Sequence, residues 1–229
     1  MIVAIDGPAA SGKGTLVKKL AEYYNLEALD TGSLYRAVAL SMVISGDELQ
    51  DHNKALKHSL NFDFRLTQSP DLRTAEIGVA ASKIALFQDV RKALFSFQRK
   101  FATNPPAGKS GTILDGRDIA TVICPEADYK IFVTAQIEIR AKRRLKELIE
   151  RNEPAIYASV LDELRDRDVR DSTRKSAPLQ KSTDAFTVDT THLTADQAFQ
   201  TAQKQRLSAP VIAPCRSVLQ IGWPKQKRF

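Results

Sequence analysis

The sequence predicts an α/β fold in which a central parallel sheet is covered by helices on both faces. Short apolar runs typical of buried strands alternate with stretches in which apolar residues recur at helical spacing. Such alternation favours parallel strands joined by helical crossovers. The strand runs are IVAID, EALD, TILD, YKIFVTA and AFTVD, and helices are expected at about 13–24, 33–45, 74–101 with a break, 136–150, 155–172 and 194–206.

Three of the strand runs end in an aspartate that a glycine soon follows. These ends are Asp6-Gly7, Asp30-Thr31-Gly32 and Asp115-Gly116. In an open parallel sheet, ligands bind just beyond the carboxyl ends of the strands. We therefore expect the three ends to face one crevice.

A glycine-rich stretch, GPAASGKGT, follows the first strand run and precedes the first helix. It differs from the pattern G-x-x-x-x-G-K-[ST] at one position, because Gly14 precedes the hydroxyl residue Thr15. The glycines let backbone N–H groups turn toward phosphates, the helix N-terminus adds a positive dipole end, and Lys13 adds a charge. These features predict a P-loop NTPase-type three-layer fold, and the alternative is a turn that only joins strand to helix. The expected nucleotide-binding residues are Gly7, Pro8, Ala9, Ala10, Ser11, Gly12, Lys13, Gly14 and Thr15.

The loop alone does not separate kinases from GTPases or motor-type ATPases. A GTPase normally carries N-K-x-D for guanine. The nearest stretch here, NKAL at 53–56, lacks the aspartate. This difference argues against a GTPase.

Four segments resemble bacterial cytidylate kinases of the nucleoside monophosphate kinase superfamily. They are GPAASGKGT at 7–15, LDTGSLYRAVAL at 29–40, LDGRDIATVICPEADYKIFVTA at 114–135 and RDVRDSTRKSAPL at 167–179. The resemblance runs in order over about residues 1–206, and the GKGT ending is usual in that superfamily. It implies transfer of the γ-phosphate of ATP to CMP or dCMP, with Mg²⁺, in pyrimidine nucleotide metabolism.

Phosphoryl transfer between two nucleotides brings two anionic groups together, so arginines are expected to converge on the crevice. The acceptor oxygen is already ionised, and no general base is needed. In the segment DGRD, Asp115 suits a metal-bound water and Arg117 suits a bidentate grip on a phosphate. We expect Lys13, Asp115, Arg117 and Arg174 to be catalytic, with Thr15 and Asp115 serving the metal.

The acceptor site is assigned mainly from the resemblance. From the residues themselves, Thr31 is expected to cap a helix that begins near Ser33, with Arg36 in its first turn, and the alternative for Arg36 is an exposed surface residue. Periodicity alone puts Ser82 and Arg91 on a helix surface, so their assignment at the base rests on the resemblance. The acceptor-binding residues that the resemblance implies are Thr31, Arg36, Ser82, Arg91, Arg117, Asp118, Arg167, Asp171 and Arg174.

Spacing groups part of this set independently. Residues Arg167, Asp171 and Arg174 lie at i, i+4 and i+7, which predicts one helical face. Two guanidiniums beside a carboxylate suit a phosphate next to a ribose hydroxyl.

Arginines and acids alternate through the segment 140–174. The pairs Glu147/Arg151 and Glu163/Arg167 have the i,i+4 spacing of solvated ion pairs. The helical hairpin in this segment is expected to be a lid that keeps water from the donor. Candidates for the arginine that meets the transferring phosphate are Arg140, Arg143 and Arg144, and the sequence does not choose among them.

These observations predict one P-loop kinase domain over 1–206. It contains an acceptor-binding insert at about 33–100 and a lid at about 138–170, and a basic, poorly ordered tail follows at 207–229. The stretch at 61–77 is shorter than the strand-rich segment usual in the family.

The net charge of +7 comes mostly from the C-terminal tail. From residue 203 onward there are six basic and no acidic residues, which leaves +7 − 6 = +1 for residues 1–202. The folded part therefore has no sign of a basic stripe for nucleic acid. We expect ATP and CMP or dCMP as partners, no nucleic acid, and a monomer.

Other function classes have little support. No apolar run reaches the roughly 18 residues of a membrane helix, and MIVAID has no basic n-region, so we expect no membrane association, no processed signal and a cytoplasmic location. Cys124, Cys215 and three scattered histidines match no disulfide framework or metal spacing.

Two rival functions stay open. One is the same fold acting on another small acceptor, such as UMP, AMP or a metabolite hydroxyl. The other is a regulatory or nucleic-acid-binding P-loop protein without phosphotransfer, which would bind ATP but ignore nucleoside monophosphates.

Overall fold

A computed structural model of the chain describes residues 1–204. The basic tail predicted at 207–229, together with Cys215, lies outside the described residues. Within the described part, no helix is both long enough and apolar enough to cross a membrane.

The sheet has five parallel strands and confirms the predicted α/β class. The strands are β1 (Ile2–Asp6), β2 (Leu26–Asp30), β3 (Gly111–Gly116), β4 (Tyr129–Thr134) and β5 (Phe186–Asp189). Their spatial order is β2-β3-β1-β4-β5, and every neighbouring pair is parallel. Each strand lies within about a residue of a predicted apolar run.

Eight α-helices connect and cover the strands in the described part of the chain. They are α1 (Lys13–Tyr23), α2 (Thr31–Ile44), α3 (His52–Leu60), α4 (Ala75–Ile84), α5 (Gln88–Thr103), α6 (Ile137–Glu150), α7 (Tyr157–Thr173) and α8 (Ala195–Lys204). Every predicted helical stretch is present, and the expected break separates α4 from α5. Sequence reasoning missed α3, two 3₁₀ turns at Phe64–Gln68 and Pro70–Arg73, and a wide π turn at Ile119–Ile123.

Helix α3 escaped prediction because its apolar face is narrow. Only Ala55 and Ser59 are buried in it, so the hydrophobic period is almost absent. Its start has a local cause, since the Asp51 carboxylate accepts a hydrogen bond from the Lys54 N–H at 3.0 Å. That capping aspartate was the available signal.

Alternating strand residues build a core on each face of the sheet. Ala4 of β1 and Leu114 of β3 pack with α2, α4 and α5. Val3, Ile5 and Ile113 point the other way and pack with α1 and α8. This period of two gives the three layers that the sequence predicts.

Helices α6 and α7 form a hairpin with a small core of its own. Ala141, Leu148, Val160 and Leu164 are buried there and belong to neither sheet core. The hairpin spans most of the predicted lid, and the division into core, insert and lid stays a prediction.

Strand β1 leads into the glycine-rich loop past the main chain of β4. A Cβ built on Gly7 would lie 2.0 Å from the Val133 carbonyl oxygen, which no rotamer change relieves. Gly14 differs, because a Cβ there would meet only Asp115 Oδ2, at 4.0 Å. Glycine is therefore sterically required at position 7, whereas position 14 has room for a side chain.

Gly7→Ala is expected to lower the free energy of unfolding by about 2 kcal/mol or more, because the added methyl group collides with backbone. Gly14→Ala is the matched control and should leave stability unchanged or raise it by up to about 1 kcal/mol, since alanine favours a helix. Urea unfolding followed by circular dichroism measures both. Equal unfolding free energies for the two variants would contradict the close approach at Gly7.

Candidate active site

The carboxyl ends of β1, β2 and β3 meet at one edge of the sheet, as predicted. Asp6 lies opposite Gly116 in the β1–β3 pair. Asp30 lies opposite Asp115 in the β2–β3 pair. The sheet therefore brings the glycine-rich loop, the start of α2 and the DGRD segment to the same crevice.

Lys13 begins α1 directly after Gly12, whose φ of +90° turns the chain into the helix. Its side chain is buried, its Nζ donates to the Pro8 carbonyl at 2.8 Å, and it lies 3.9 Å from Asp115 Oδ1. The lysine thus curls back over the loop at the positive end of α1. This geometry suits an anion held by the loop.

Lys13 and Asp115 are both largely buried, and each shifts the pKa of the other. Burial lowers the pKa of Lys13, Arg117 lowers it further, and Asp115 opposes both effects. Burial raises the pKa of Asp115, and Lys13 opposes that rise. Perturbed ionisable groups of this kind are typical of functional clefts.

The predicted metal ligands lie at an edge that is rich in hard oxygen donors. Asp115 lies beside the first turn of α1, where Thr15 is exposed, and Asp30 adds a second carboxylate on the adjacent strand. Carboxylate and hydroxyl oxygens are the hard donors that Mg²⁺ prefers. The residues fit a hydrated magnesium ion.

Next to the loop lies a cavity that opens to solvent. Its lining contains all the predicted acceptor residues except Arg36. Those lining residues are Thr31, Ser82, Arg91, Arg117, Asp118, Arg167, Asp171 and Arg174.

One end of the cavity is built around Asp118. Arg91 Nη2 donates to Asp118 Oδ2 at 2.5 Å, and Arg174 Nη2 lies 3.5 Å from Oδ1. Ser82 and Arg91 are both buried, so the helix-surface positions that periodicity suggested are wrong for them. Their burial follows from the packing of α4 against α2 and from the contacts of Arg91 with Tyr35 of α2 and with Asp118, which the period of a single helix does not reveal.

Arg174 reaches this end by a route that the spacing did not predict. Helix α7 ends at Thr173, and Arg174 has an extended backbone, so the single helical face predicted for Arg167, Asp171 and Arg174 is wrong for the last residue. The chain then folds back, and Arg174 Nε donates to the Ala177 carbonyl at 2.6 Å. Arg174 Nη2 is buried without a hydrogen-bond partner.

Asp171 gathers two arginines in the middle of the cavity. Arg117 Nε donates to its Oδ2 at 2.8 Å, and Arg167 Nε lies 3.9 Å from the same oxygen. Burial raises the pKa of Asp171, but Arg117 and Arg167 together hold it below its usual value. The spacing predicted that Arg167 pairs with Glu163, but in the structure Arg167 pairs with Asp171. The predicted Glu147–Arg151 pair forms, at 3.9 Å.

Two details of α2 correct the sequence analysis. The helix begins at Thr31 and not near Ser33, and the Thr31 hydroxyl donates to the Asp115 carbonyl at 2.8 Å instead of capping the helix. Arg36 consequently lies in the second turn. It is half-buried, with Nη1 donating to the Leu72 carbonyl at 3.2 Å, so the exposed alternative is wrong.

Arg36 depends on a glycine that the sequence gave no reason to select. Its Nη1 lies 3.1 Å from the position that a Cβ on Gly78 of α4 would occupy. A side chain at 78 would displace the guanidinium.

Positive charge is concentrated where α6 and α7 face α2 and α4. Burial lowers the pKa of Arg36, and Arg144 and Arg73 lower it further. Burial also lowers the pKa of Arg167, and the charges of Arg117, Arg36 and Arg144 lower it further. Guanidiniums that disfavour one another's charge form a site for a polyanion.

The comparisons with known proteins agree with this geometry. The sequence model of the cytidylate kinase family matches residues 3–206. The chain belongs to the cytidylate kinase family. The cytidylate kinase of Paramagnetospirillum magneticum is 50% identical over 201 residues, which are 88% of this chain and 95% of the relative. That of Xanthobacter autotrophicus is 50% identical over 202 residues, with 88% and 95% covered.

A solved structure of an uncharacterized protein from Eubacterium ventriosum shares the fold. The TM-score is 0.50 at 19% identity, and the match covers 89% of this chain and 96% of that one.

The family match also revises the reading of residues 61–77. The first relative leaves only 100 − 95 = 5% of its length unaligned, so it has little room for a longer segment. The stretch is therefore not shortened relative to this family member. In the fold it forms two 3₁₀ turns against α2.

Two contacts near the site had no sequence signal of their own. The guanidinium of Arg91 lies over the Tyr35 ring at 5.5 Å. Arg170 Nε of α7 donates to the Ser82 hydroxyl at 3.2 Å. Arg, Tyr and Ser are common on helices, and only tertiary packing distinguishes these from surface residues.

The three candidate lid arginines have different surroundings. Arg140 is buried, donates to both Asp168 carboxylate oxygens at 3.1 and 2.6 Å, and donates to the Ala135 carbonyl at 2.9 Å. Arg143 donates to the hydroxyl and carbonyl of Thr190. Arg140 Nη1 also donates to the Ala9 carbonyl at 3.4 Å, so Arg140 ties α6 to α7, to the end of β4 and to the glycine-rich loop, and four of its five N–H donors are engaged within the protein.

Arg140→Ala is expected to lower the free energy of unfolding by about 3 kcal/mol, because it leaves Asp168 without its partner. Arg165→Ala is the matched control. Arg165 is an exposed residue of α7 that pairs with Asp162 at 3.2 Å, and its loss should cost less than about 1 kcal/mol. Chemical denaturation of both variants makes the comparison. Losses of similar size would contradict the anchoring role of Arg140.

Proposed function

We propose that the chain transfers the γ-phosphate of ATP to CMP or dCMP, giving ADP and CDP or dCDP. One observation carries the proposal: a single cavity beside the nucleotide loop holds a hydrogen-bonding end at Asp118 and a cationic region toward Lys13. A nucleoside monophosphate has the same polarity, with a base at one end and a phosphate at the other. Membership of the cytidylate kinase family supports it.

On the donor side, Lys13 and the loop 7–15 would hold the phosphates of ATP. Thr15 and Asp115 would hold the Mg²⁺, which when bound neutralises phosphate charge and orients the leaving group. Lys13 would neutralise charge that builds on the β- and γ-phosphates. The residues do this by position, since the reaction needs no covalent step on the protein.

On the acceptor side, Arg36, Arg117 and Arg167 would receive the monophosphate. Their mutual repulsion in the free site would be relieved when the phosphate enters. The attacking oxygen is already ionised, so these guanidiniums orient it and compensate its charge while no base removes a proton.

The base would lie against Asp118, Arg91, Ser82 and Arg174. A carboxylate accepts a hydrogen bond from the exocyclic amino group of cytosine. The corresponding uracil carbonyl oxygen is itself an acceptor and would be repelled by the carboxylate. Arg174 was expected at the phosphate, but its contacts with Asp118 and Ala177 favour a role at the base. Its Nη2 makes no hydrogen bond within the protein and is a donor for the carbonyl oxygen or a ring nitrogen of the base.

Among the lid arginines, Arg144 is the one we propose for the transferring phosphate. It lies close enough to lower the pKa of both Arg36 and Arg167, while Arg140 is occupied by Asp168 and Arg143 by Thr190. Arg144 also pairs with Glu147 at 3.0 Å, which would keep it in place between turnovers.

We further propose that the hairpin α6–α7 closes over the donor and excludes water, because an open site would hydrolyse ATP. Every side chain in the scheme comes from one chain, so a monomer suffices. We propose that this monomer acts in the cytoplasm.

An acceptor panel tests the function. ADP release from MgATP, measured with CMP, dCMP, UMP, AMP and GMP, should give kcat/KM at least about tenfold higher for the two cytidine acceptors, because an amino group and an oxygen exchange roles at Asp118. Preference for another monophosphate would favour the rival kinase. ATP turnover that ignores every monophosphate would favour the regulatory P-loop protein.

Arg144→Ala should lower kcat about 100-fold with KM for ATP and CMP within about threefold, because it removes charge that acts mainly in the transition state. Lys146→Ala is the control, since Lys146 is an exposed residue of the same helix that pairs with Glu150 at 3.8 Å. Steady-state kinetics of both variants checks this. A kcat equal to that of the control would remove Arg144 from the scheme.

A further inference from the structure

One buried carboxylate at the site has no role in the scheme above. Asp6 ends β1 and is 2% exposed. Its Oδ1 accepts from the Ile119 N–H and its Oδ2 accepts from the Ala120 N–H, both at 2.8 Å. A carboxylate with so little exposure is costly unless its hydrogen bonds are made, and here two backbone donors make them.

The donors belong to the π turn that starts directly after Asp118. The first N–H groups of such a turn have no partner within it, and Asp6 supplies both. The turn then closes on Asp118 itself, whose carbonyl accepts from the N–H of Val122 at 2.9 Å and of Ile123 at 3.1 Å. The direction of the chain as it leaves Asp118 is therefore set by the carboxylate of Asp6.

The same residue borders the nucleotide loop. Asp6 immediately precedes Gly7, and it lies opposite Gly116, the residue before Arg117. Parallel pairing of β1 with β3 holds the two strands together but ends at this point. Beyond it, the two side-chain bonds of Asp6 link the start of the loop to the segment 117–120.

Packing alone does not account for an aspartate here. Burial raises the pKa of Asp6 to about 6, and the nearby Asp118 and Asp115 add to the rise, while the two N–H groups oppose it. An apolar side chain would avoid this cost but would leave two N–H groups unsatisfied and the turn free to shift. The arrangement costs stability and gains a fixed turn.

We propose that Asp6 is a positioning residue that fixes the segment carrying Arg117 and Asp118 against the nucleotide loop. The inference rests on the proposed function, in which these two side chains hold the acceptor in line with the donor phosphate. Asp6 touches neither substrate. It acts through the turn, and a shift of about 1 Å in such a turn is enough to lower turnover strongly.

The test is Asp6→Asn in the full-length protein. Asparagine has the same shape, but its NH₂ group faces one of the two N–H donors and cannot accept from it. The expected result is a rise of about tenfold in KM for CMP and a fall of about tenfold in kcat, with KM for ATP within twofold. Asp128→Asn is the matched control, because Asp128 Oδ2 accepts from the Ile2 N–H at 2.7 Å at the opposite end of β1, and its loss should leave all three constants unchanged.

Two kinetic outcomes would overturn the inference. The first is a lower unfolding midpoint with kcat and both KM values unchanged, which describes a purely structural carboxylate. The second is an equal rise in KM for ATP and for CMP, which means that Asp6 does not act on the acceptor side in particular.

Hydrogen exchange separates this inference from the proposed function. The Ile119 and Ala120 amides should exchange as slowly as those of β3, and at least about tenfold faster in Asp6→Asn while β3 is unaffected. If the unmodified protein does not phosphorylate CMP, the function fails and exchange still tests Asp6. If the asparagine variant does not fold, fast exchange of these two amides in the unmodified protein overturns the inference, and slow exchange supports it.

Discussion

The site depends on the repulsion among guanidiniums that the fold holds close together in a partly dry cleft. Arg36, Arg144 and Arg167 come from three different helices, and each helix is anchored elsewhere by apolar packing. The free cleft therefore stores unfavourable electrostatic energy, which phosphates would relieve on entering under the proposed function. Parallel strands make this possible because their carboxyl ends collect the loops on one edge.

Three carboxylates pair with separate groups of cationic side chains in the cleft. Asp115 faces Lys13, Asp171 gathers Arg117 and Arg167, and Asp118 holds Arg91. Each is largely buried and each is paired, which keeps the arginines ordered before any ligand binds. Under the proposed function, the donor, the acceptor phosphate and the base would each meet a separately balanced group of charges.

Sequence reasoning recovered the parts of this arrangement that local pattern encodes. The strand runs, the glycine-rich loop and the aspartates at the strand ends are contiguous signals, and the sheet assembled them as expected. It misjudged features that depend on packing between elements. Ser82 and Arg91 look like helix-surface residues until α4 packs on α2 and Arg91 meets Tyr35 and Asp118, and Arg174 lies beyond the end of its helix. The three lid arginines lie on one helix and are the same residue type, so the sequence alone does not separate them. Arg144 stands out only once the structure shows that Arg140 is bonded to Asp168 and Arg143 to Thr190.

The hairpin α6–α7 is packed around its own apolar cluster, and that cluster is separate from both cores of the sheet. Under the proposed lid role, such a unit would be able to move as a rigid body, since its apolar residues belong to neither sheet core. The rate of lid movement and the thermal stability of the sheet would then depend on different sets of side chains. Substitutions selected at a higher growth temperature would therefore stabilise the sheet without changing the turnover rate.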